Sequence, residues 1–226
     1  MKRPFIFLCA ALIASASAQA TVIAQYDFTG GSTASSDTEL STTASSFAAS
    51  GITPSYTSNR VEIGGDDTPT VAFDPSNPSD LDTVMDAAIT NGHYLSFTVT
   101  IDSATEVDLT SIDFDYTSTS GFDFGFGLFS DKTGFTVGNE LAGVFGNEGS
   151  DPSLSGPIDL TGITSLQNLT DTTVEFRFYL TDRSGSNTRI HLLDNVSLEG
   201  NVGAIPEPSS AFLLGFAFLG ILRRRR

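Results

Sequence analysis

The sequence predicts a mostly β protein, an antiparallel β-sandwich of jelly-roll type with one short helix. Three observations support this prediction. Apolar residues recur at every second position in several segments, the alternate positions of those segments are polar, and only one segment repeats apolar residues at helical steps. Strands with one apolar and one polar face are typical of antiparallel sheets. We also expect a signal peptide before this domain and a hydrophobic helix after it.

Residues 1–20 have the parts of a secretory signal peptide: a basic start, an apolar core and a small-x-small site at Ala18 and Ala20. We expect cleavage after Ala20. The only cysteine, Cys9, lies in the apolar core of this signal. The mature chain therefore has no disulfide, no thiolate nucleophile and no cysteine-ligated metal.

Residues 21–204 are long enough for one domain with a sizeable core. They hold five of the 11 basic residues and 26 of the 27 acidic ones, a net charge of about −21. Such a domain repels phosphate backbones and anionic membrane surfaces, which disfavours nucleic-acid binding. The acidity indicates solubility outside the cell, or divalent-cation binding through carboxylates.

The first part of the domain alternates once and then loses its periodicity. Residues 22–28 predict the opening strand. Residues 30–51 are rich in Ser, Thr and Ala and are expected to be an exposed, low-complexity segment with room for one frayed strand. Residues 52–63 predict one or two short strands, and residues 64–67 a turn. The expected inward residues of the opening strand are Val22, Ala24, Tyr26 and Phe28.

A single helix is predicted after residues 75–78. Ser79 is placed to cap it, apolar residues recur at three- and four-residue steps, and Asn91 with Gly92 ends it. We expect this helix to cover one end of a sheet. Its predicted apolar residues are Leu81, Val84, Met85, Ala88 and Ile89.

From residue 94 onward the period is two. Residues 94–101, 112–116, 122–128 and 174–180 predict strands, and residues 131–162 a glycine-rich loop region. The expected inward residues are Leu95, Phe97, Val99, Ile101, Ile112, Phe114, Tyr116, Phe122, Phe124, Phe126, Leu128, Val174, Phe176, Phe178 and Leu180. The expected outward residues of the last of these strands are Glu175, Arg177 and Tyr179.

The last predicted strand, residues 190–198, contains a carboxylate among apolar side chains. Asp194 shares the parity of the apolar positions and therefore falls on the apolar face, unless a bulge intervenes. A buried carboxylate must be neutralised by a cation, a basic side chain or backbone N–H groups. The other residues of this parity are Ile190, Leu192, Val196 and Leu198.

The end of the chain combines a stiff strip, an apolar run and a basic block. Pro206 and Pro208 flank Glu207 and hold it in an extended conformation. Residues 211–222 are apolar and, as a helix, rise about 18 Å, which is short for a hydrocarbon core of about 30 Å. This length suits transient anchorage in the inner membrane. The positive-inside rule keeps the four arginines of the block in the cytoplasm. They are Arg223, Arg224, Arg225 and Arg226.

In this order, the three parts closely resemble the PEP-CTERM sorting signal of Gram-negative bacteria, which is also labelled ice-binding protein C-terminal. That label is not evidence of ice binding. The resemblance covers about the last 22 residues. It implies that an exosortase, a membrane transpeptidase, cuts at or near Pro206, Glu207 and Pro208 and that the chain is its substrate. The alternative is a tail anchor that is never cut.

The residues around Asp194 carry a second resemblance. Leu193-Asp194-Asn195-Val196, followed by Leu198 and Gly200, resembles the closing strand of many secreted jelly-roll modules, including carbohydrate-binding-like ones and the bodies of other PEP-CTERM proteins. In some of those modules an acidic residue at this place helps the first strand to hold a structural calcium. The resemblance therefore implies a calcium site at Asp27 and Asp194. The alternative is a structural aspartate bonded to the backbone of a turn.

Catalytic motifs are absent from the sequence. It has no G-x-S-x-G, HExxH, P-loop or EF-hand pattern. His93 follows the helix stop, and His191 is expected to point outward. Asp113 and Asp115 are expected on a solvated strand face rather than as an acid pair. No catalytic residue or cofactor is therefore assigned, apart from the calcium.

Recognition features are few. Sequons begin at Asn168 and Asn195, but in a bacterium this pattern is usually empty. Tryptophan is absent, which disfavours a sugar-stacking platform, although Tyr94, Tyr179 and Phe129 are candidates for one.

Three functions are consistent with the sequence. The favoured one is a non-catalytic, exported protein of the cell envelope or extracellular matrix, processed at its tail. The second is a carbohydrate-binding module for exopolysaccharide, and the third is a glycan-acting enzyme, which would need two facing carboxylates in a cleft.

Overall fold

The fold is a sandwich of two sheets with one helix on its surface. The computed structural model describes residues 20–57, 59–64, 70–71, 79–118, 124–146, 153–183 and 190–205. Within these residues the chain forms the predicted mostly β structure. No helix in this part of the chain has the length and apolar character needed to cross a membrane. The predicted C-terminal helix and the turn at residues 64–67, apart from Gly64, lie outside it.

One α-helix interrupts the series of strands along the described part of the chain. Within the same residues, two short 3₁₀ helices lie at Thr29–Gly31 and Thr164–Leu166. The strands are β1 (Ala20–Tyr26), β2 (Thr42–Ala44), β3 (Ala48–Ser50), β4 (Ser55–Thr57), β5 (Arg60–Gly64), β6 (Thr70–Val71), β7 (Tyr94–Ile101), β8 (Thr105–Ser118), β9 (Phe124–Ser130), β10 (Ala142–Gly146), β11 (Ser153–Ser155), β12 (Ile158–Asp159), β13 (Thr172–Arg183) and β14 (Ile190–Ala204), and the helix is α1 (Ser79–Asn91).

Counted over the described residues, each sheet has seven strands. Sheet 1 has the order β11-β8-β14-β5-β4, with β1 also pairing with β14 and β12 with β8. Sheet 2 has the order β10-β9-β13-β7-β2, with β3 also pairing with β7 and β6 with β13. The pairing of β6 with β13 is parallel. The pairings that build the rest of the two sheets are antiparallel, as the two-faced strands predicted.

Aromatic rings join the inner faces of the two sheets. Phe114 of sheet 1 lies 5.5 Å from Phe126 and 5.6 Å from Phe178 of sheet 2, measured between ring centroids. Tyr116 stacks on Phe126 at 4.0 Å. The inward residues predicted for β7, β8 and β13 are buried, which confirms their period-two alternation. Burial of this aromatic layer supplies much of the hydrophobic driving force of the fold.

A β-bulge corrects the prediction for the first strand. The pairing register of β1 with β14 shifts between Val22 and Ala24. The extra residue, Ile23, turns inward and is buried together with Ala24, whereas Val22 is only half-buried. A bulge reverses the alternation on one side of itself. Strict alternation therefore assigned Val22 and Ile23 to the wrong faces.

The segment of residues 30–51 was wrongly expected to lack core residues. It contains β2 and β3, which both pair with β7. Phe47, between these strands, is 4% exposed and lies 5.0 Å from Tyr26 and 5.6 Å from Phe97 between ring centroids. The buried side chain of Phe47 therefore anchors this segment to the core, although its composition predicted an exposed, low-complexity chain.

Helix α1 has the predicted bounds but a different position. Met85 and Ala88 pack against Phe129 and Tyr179, which face outward from sheet 2. The helix therefore covers part of the outer face of this sheet rather than its end. It buries Tyr179, which was predicted to face solvent, to 1% exposure. A covering helix gives a strand two buried faces, and alternation alone cannot reveal this.

The region of residues 131–162 is not only loop. It contributes β10 to sheet 2 and the short strands β11 and β12 to sheet 1. These strands have two to five residues, which is too short for a period-two pattern to stand out in the sequence.

Candidate functional site

The last described contact of the domain is made by Ile205, the first residue of the predicted sorting signal. β14 remains paired with β8 up to Ala204, opposite Thr105. The N–H group of Ile205 then donates a hydrogen bond to the Ala104 carbonyl, at 2.9 Å. The residues predicted for processing, Pro206, Glu207, Pro208 and the four arginines at residues 223–226, lie outside the described part of the chain.

The N-terminal processing site lies next to the same end of β14. Ala20 is the first residue of β1 and pairs with Asn201. The other predicted cleavage residue, Ala18, lies outside the described residues. Cleavage after Ala20 would therefore leave Thr21 and the rest of β1 paired with β14.

Asp194 is not on the apolar face, and a second bulge is the reason. Asn195 has a left-handed φ of 51°, and the register of β14 with β8 shifts between Asp194 and Ser197. His191 and Leu193 consequently face the core before the bulge, and Val196 and Leu198 face it after the bulge. Asp194 and Leu192 are half-buried and Ile190 is 37% exposed, which overturns the inward assignment of these three residues.

The backbone at the bulge holds the Asp194 carboxylate in place. The Asn195 N–H group donates to Asp194 Oδ1 at 2.7 Å, and the Asn195 side-chain amide donates to Asp115 Oδ2, also at 2.7 Å. Asp115 lies directly opposite Asp194 in the register of β8 and β14. One asparagine thus bridges two carboxylates that would otherwise repel each other.

The two residues of the predicted calcium site interact through their charges. Asp27 directly follows β1, and its Oδ1 accepts a hydrogen bond from the Thr29 N–H group at 3.0 Å. Its negative charge contributes to raising the pKa of Asp194. In the described ranges, no three or more His, Cys, Asp or Glu side chains form a group that could hold a metal ion. Calcium takes six to eight oxygen ligands, more than the carboxylates of Asp27 and Asp194 provide. A calcium site at these two residues therefore stays a prediction.

Asp194 also lines a cavity on the outer face of sheet 1. The cavity has a volume of about 340 Å³. Asp115 and Asp194 provide carboxylates, Leu192 provides apolar surface, and Arg60 provides a guanidinium group. Leu154 pairs with the inward-facing Tyr116 and packs against the core. Arg60 also forms an ion pair with Glu62, with 2.6 Å between Nη2 and Oε1. The full lining comprises Arg60, Asp115, Tyr116, Thr117, Leu154, Leu192 and Asp194.

The electrostatic environment of this cavity raises the pKa of Asp194. Burial raises the pKa of the Asp194 carboxyl, and the charges of Asp115 and Asp27 raise it further. The Asn195 N–H bond and the charge of Arg60 lower it, but the net shift is upward. The negative charge at this place is therefore incompletely compensated.

The two histidines lie in different surroundings, His191 in the core and His93 beyond the end of α1. His191 was expected to face outward, but the bulge places it in the core with no exposed surface. Its Nδ1 shares a hydrogen bond of 2.8 Å with the hydroxyl group of Tyr116. His93 is half-buried beyond the end of α1, and its Nδ1 is buried with no hydrogen-bond partner among the described residues.

A second polar cluster lies on the outer face of sheet 2. The guanidinium carbon of Arg177 lies 4.2 Å from the ring centroid of Tyr94 and 3.9 Å from that of Phe135. The guanidinium group of Arg177 forms hydrogen bonds along two of its edges: Nε and Nη2 donate to Glu175, and Nη1 donates to the hydroxyl group of Tyr179. Burial alone would lower the pKa of Arg177, but these hydrogen bonds and charges raise it. This arginine therefore has a structural role.

Arg177 and α1 cover the aromatic residues that were candidates for sugar stacking. Tyr179 and Phe129 are buried beneath α1, and Tyr94 is half-buried beside Arg177. The predicted platform of these three rings is therefore not available to a sugar.

Sequence reasoning also missed the cavity, because Asp115, Asp194 and Arg60 come together only through the pairing register of three strands.

Comparison with known proteins identifies the tail. Residues 204–226 match the family model of the PEP-CTERM protein-sorting motif. The chain is thus a β-sandwich protein with a C-terminal sorting signal, and that signal is of the PEP-CTERM type. No curated protein sequence matches the chain.

One structural match concerns the body of the protein. It is a chain described as TmCBM61 in complex with beta-1,4-galactotriose, with 12% sequence identity and a TM-score of 0.23. The match covers 46% of this chain and 63% of that chain, so less than two thirds of the matched chain is spanned. At this level of similarity the match does not bear on ligand or function.

Proposed function

We propose that this protein is exported, that an exosortase cuts its tail at or near Pro206, Glu207 and Pro208, and that the released sandwich is a non-catalytic structural or interaction domain of the cell surface or extracellular matrix. The match of residues 204–226 to the PEP-CTERM sorting motif carries this proposal. The exosortase is then the processing partner, and the inner membrane holds the precursor only transiently.

The boundary between fold and tail supports processing at this place. The hydrogen bond from Ile205 to Ala104 is the last described tie of the chain to the sandwich, and the tripeptide begins at the next residue. A cut at the tripeptide removes none of the described residues that contribute to either sheet. A cut a few residues earlier would instead remove part of β14, which pairs with three strands.

The apolar run supports a transient rather than a permanent anchor. Residues 211–222 would rise about 18 Å as a helix, against about 30 Å of hydrocarbon. An incompletely spanning segment followed by a basic block would hold the precursor at the membrane, and the proline-flanked site, which we expect to be extended, would remain open to the exosortase.

Substitution within the tripeptide tests the proposal. Glu207→Ala in the native host should leave a full-length precursor in the membrane fraction, whereas the wild type gives a shorter released form. Glu106→Ala is the matched control, since Glu106 is an exposed acid of β8. Equal processing of wild type and Glu207→Ala, or equal retention of Glu106→Ala, would contradict the proposal.

A glycan-acting enzyme is the second candidate, because Asp115 and Asp194 face one cavity. Glycoside hydrolysis uses two carboxyl groups that flank the scissile bond, one of them an acid with a raised pKa. A pull-down on purified polysaccharides, with the hydrolysis products assayed in the same tube, separates this candidate from pure binding. Products that persist in Asp194→Asn would exclude this pair. Exopolysaccharide binding itself stays a prediction.

A further inference from the structure

The cavity on the outer face of sheet 1 has unbalanced charge. Asp115 and Asp194 lie opposite each other on antiparallel strands, where Cβ atoms are about 4.5–5.5 Å apart. Asn195 donates to one oxygen of each carboxylate, but it carries no charge. Two negative groups therefore line one cavity of about 340 Å³, and burial together with the charge of Asp115 raises the pKa of Asp194.

Arg60 does not cancel this charge. Its Nε and Nη2 both lie against Glu62 Oε1, at 2.8 and 2.6 Å. Among the described residues, no ion pair links Arg60 to Asp115 or Asp194, although its charge is close enough to lower the pKa of Asp194. Since Glu62 neutralises the guanidinium group, a guest in the cavity meets a net negative field.

The rest of the lining is apolar or neutral. Leu192 of β14 is half-buried, and Leu154 of β11 packs partly on the core. Thr117 adds a hydroxyl group that can accept a hydrogen bond. A guest therefore needs a positive head with several donors and a short aliphatic stem, the combination found in a lysine side chain.

We propose that this cavity binds a primary alkylammonium group, with its three N–H donors between Asp115, Asp194 and Thr117 and its alkyl chain on Leu192. A divalent cation fits the cavity less well, because it needs more oxygen ligands than the two carboxylates supply and gains nothing from contact with Leu192. The ammonium group has two sources, a lysine side chain of another polypeptide or a free alkylamine. The fate of the tail does not enter this proposal.

Calorimetric titration of the full-length protein in mild detergent tests the proposal with n-butylamine hydrochloride as the probe. n-Butanol has the same alkyl chain without the charge. We expect saturable binding of n-butylamine, at least about tenfold tighter than that of n-butanol, which corresponds to about 1.4 kcal/mol. Equal affinities of the two probes, or no saturable binding of n-butylamine, would overturn the proposal.

Two matched variants locate the binding. Asp194→Asn removes one charge and keeps an oxygen for the Asn195 N–H group, so it should weaken n-butylamine binding by about tenfold or more. Asp113→Asn makes the same change at an exposed position of β8 that does not line the cavity, and should bind as the wild type does. Unchanged binding in Asp194→Asn, or an equal loss in Asp113→Asn, would show that the cavity is not the site.

A third probe distinguishes the two sources. Nα-acetyl-lysine amide presents the same ammonium group on a peptide unit. Binding at least as tight as that of n-butylamine supports a lysine of a protein partner, whereas weaker binding supports a free alkylamine. Both results uphold the ammonium site.

Discussion

The hydroxyl group of Tyr116 and the Nδ1 atom of His191 share a hydrogen bond of 2.8 Å in the core of the sandwich, on neighbouring strands of sheet 1. The two rings are nearly parallel, with centroids 6.1 Å apart. The bulge at Asn195 makes this contact possible, because it turns His191 inward. The same bulge turns Asp194 outward to the cavity.

Loss of this hydrogen bond should destabilise the fold. Tyr116→Phe keeps the ring stacked on Phe126 but removes the hydroxyl group that shares the 2.8 Å hydrogen bond with His191 Nδ1. We expect the free energy of unfolding to fall by about 1–3 kcal/mol in chemical denaturation. Tyr56→Phe, at a half-buried ring, is the control and should change it by less than about 0.5 kcal/mol. A change in Tyr116→Phe as small as in the control would contradict this role.

Phe47 should be among the residues on which stability depends most. Phe47→Ala leaves a cavity among the aromatic rings of both sheets, with an expected loss of about 3–5 kcal/mol. Leu40→Ala, in the same segment, should be close to neutral because Leu40 is 95% exposed. Similar denaturation midpoints for the two variants would show that the segment does not belong to the core.

The substitution Arg177→Lys should destabilise the fold. The planar guanidinium group stacks between Tyr94 and Phe135 while it donates to Glu175 and Tyr179, and an ammonium group cannot do both. We expect Arg177→Lys to lower the free energy of unfolding by about 1–2 kcal/mol. The control Arg60→Lys concerns an arginine whose side chain is 47% exposed and should be nearly silent. Equal effects would mean that the stacking contributes nothing.

Asp194→Asn should raise the melting temperature at neutral pH. Because the pKa of Asp194 is raised in the folded state, the folded protein binds a proton more tightly than the unfolded chain does. The wild type therefore loses stability as the pH rises through the carboxyl range, whereas the variant does not. The gain should be absent at a pH below the unfolded-state pKa. A difference in melting temperature that does not change with pH, or a lower melting temperature of Asp194→Asn at neutral pH, would contradict the upward pKa shift of Asp194.

The regular strands could be predicted because each has one buried face. Leu95, Phe97, Val99 and Ile101 alternate with polar residues, and this pattern alone fixes which side of β7 packs. Hydrophobic burial is additive along such a strand, so the sequence carries the signal without knowledge of any partner.

Where alternation failed, a neighbour decided the outcome. Ile23 and Asn195 sit at bulges, whose positions depend on the pairing register with β14 and β8. Asparagine tolerates a left-handed φ, so Asn195 was the one local hint of the second bulge. Tyr179 was assigned to solvent because nothing in β13 shows that α1 covers it.

The candidate site was harder to predict for the same reason. Asp194 stood out in the sequence as a carboxylate in an apolar strand, but its face was wrong. Its neighbours Asp115 and Arg60 lie far apart in the sequence and meet it only through sheet pairing. The sorting motif needs no such pairing, since its three parts are contiguous, and it was predicted at residues 205–226 against the matched 204–226.

The intact mass of the mature protein released by the native host tests the central claim most directly. We predict that the chain begins at Thr21, after cleavage behind Ala20, and ends at or near the tripeptide of residues 206–208, without the apolar run and the arginines. A stable product that still carries Arg226 would contradict the proposed processing.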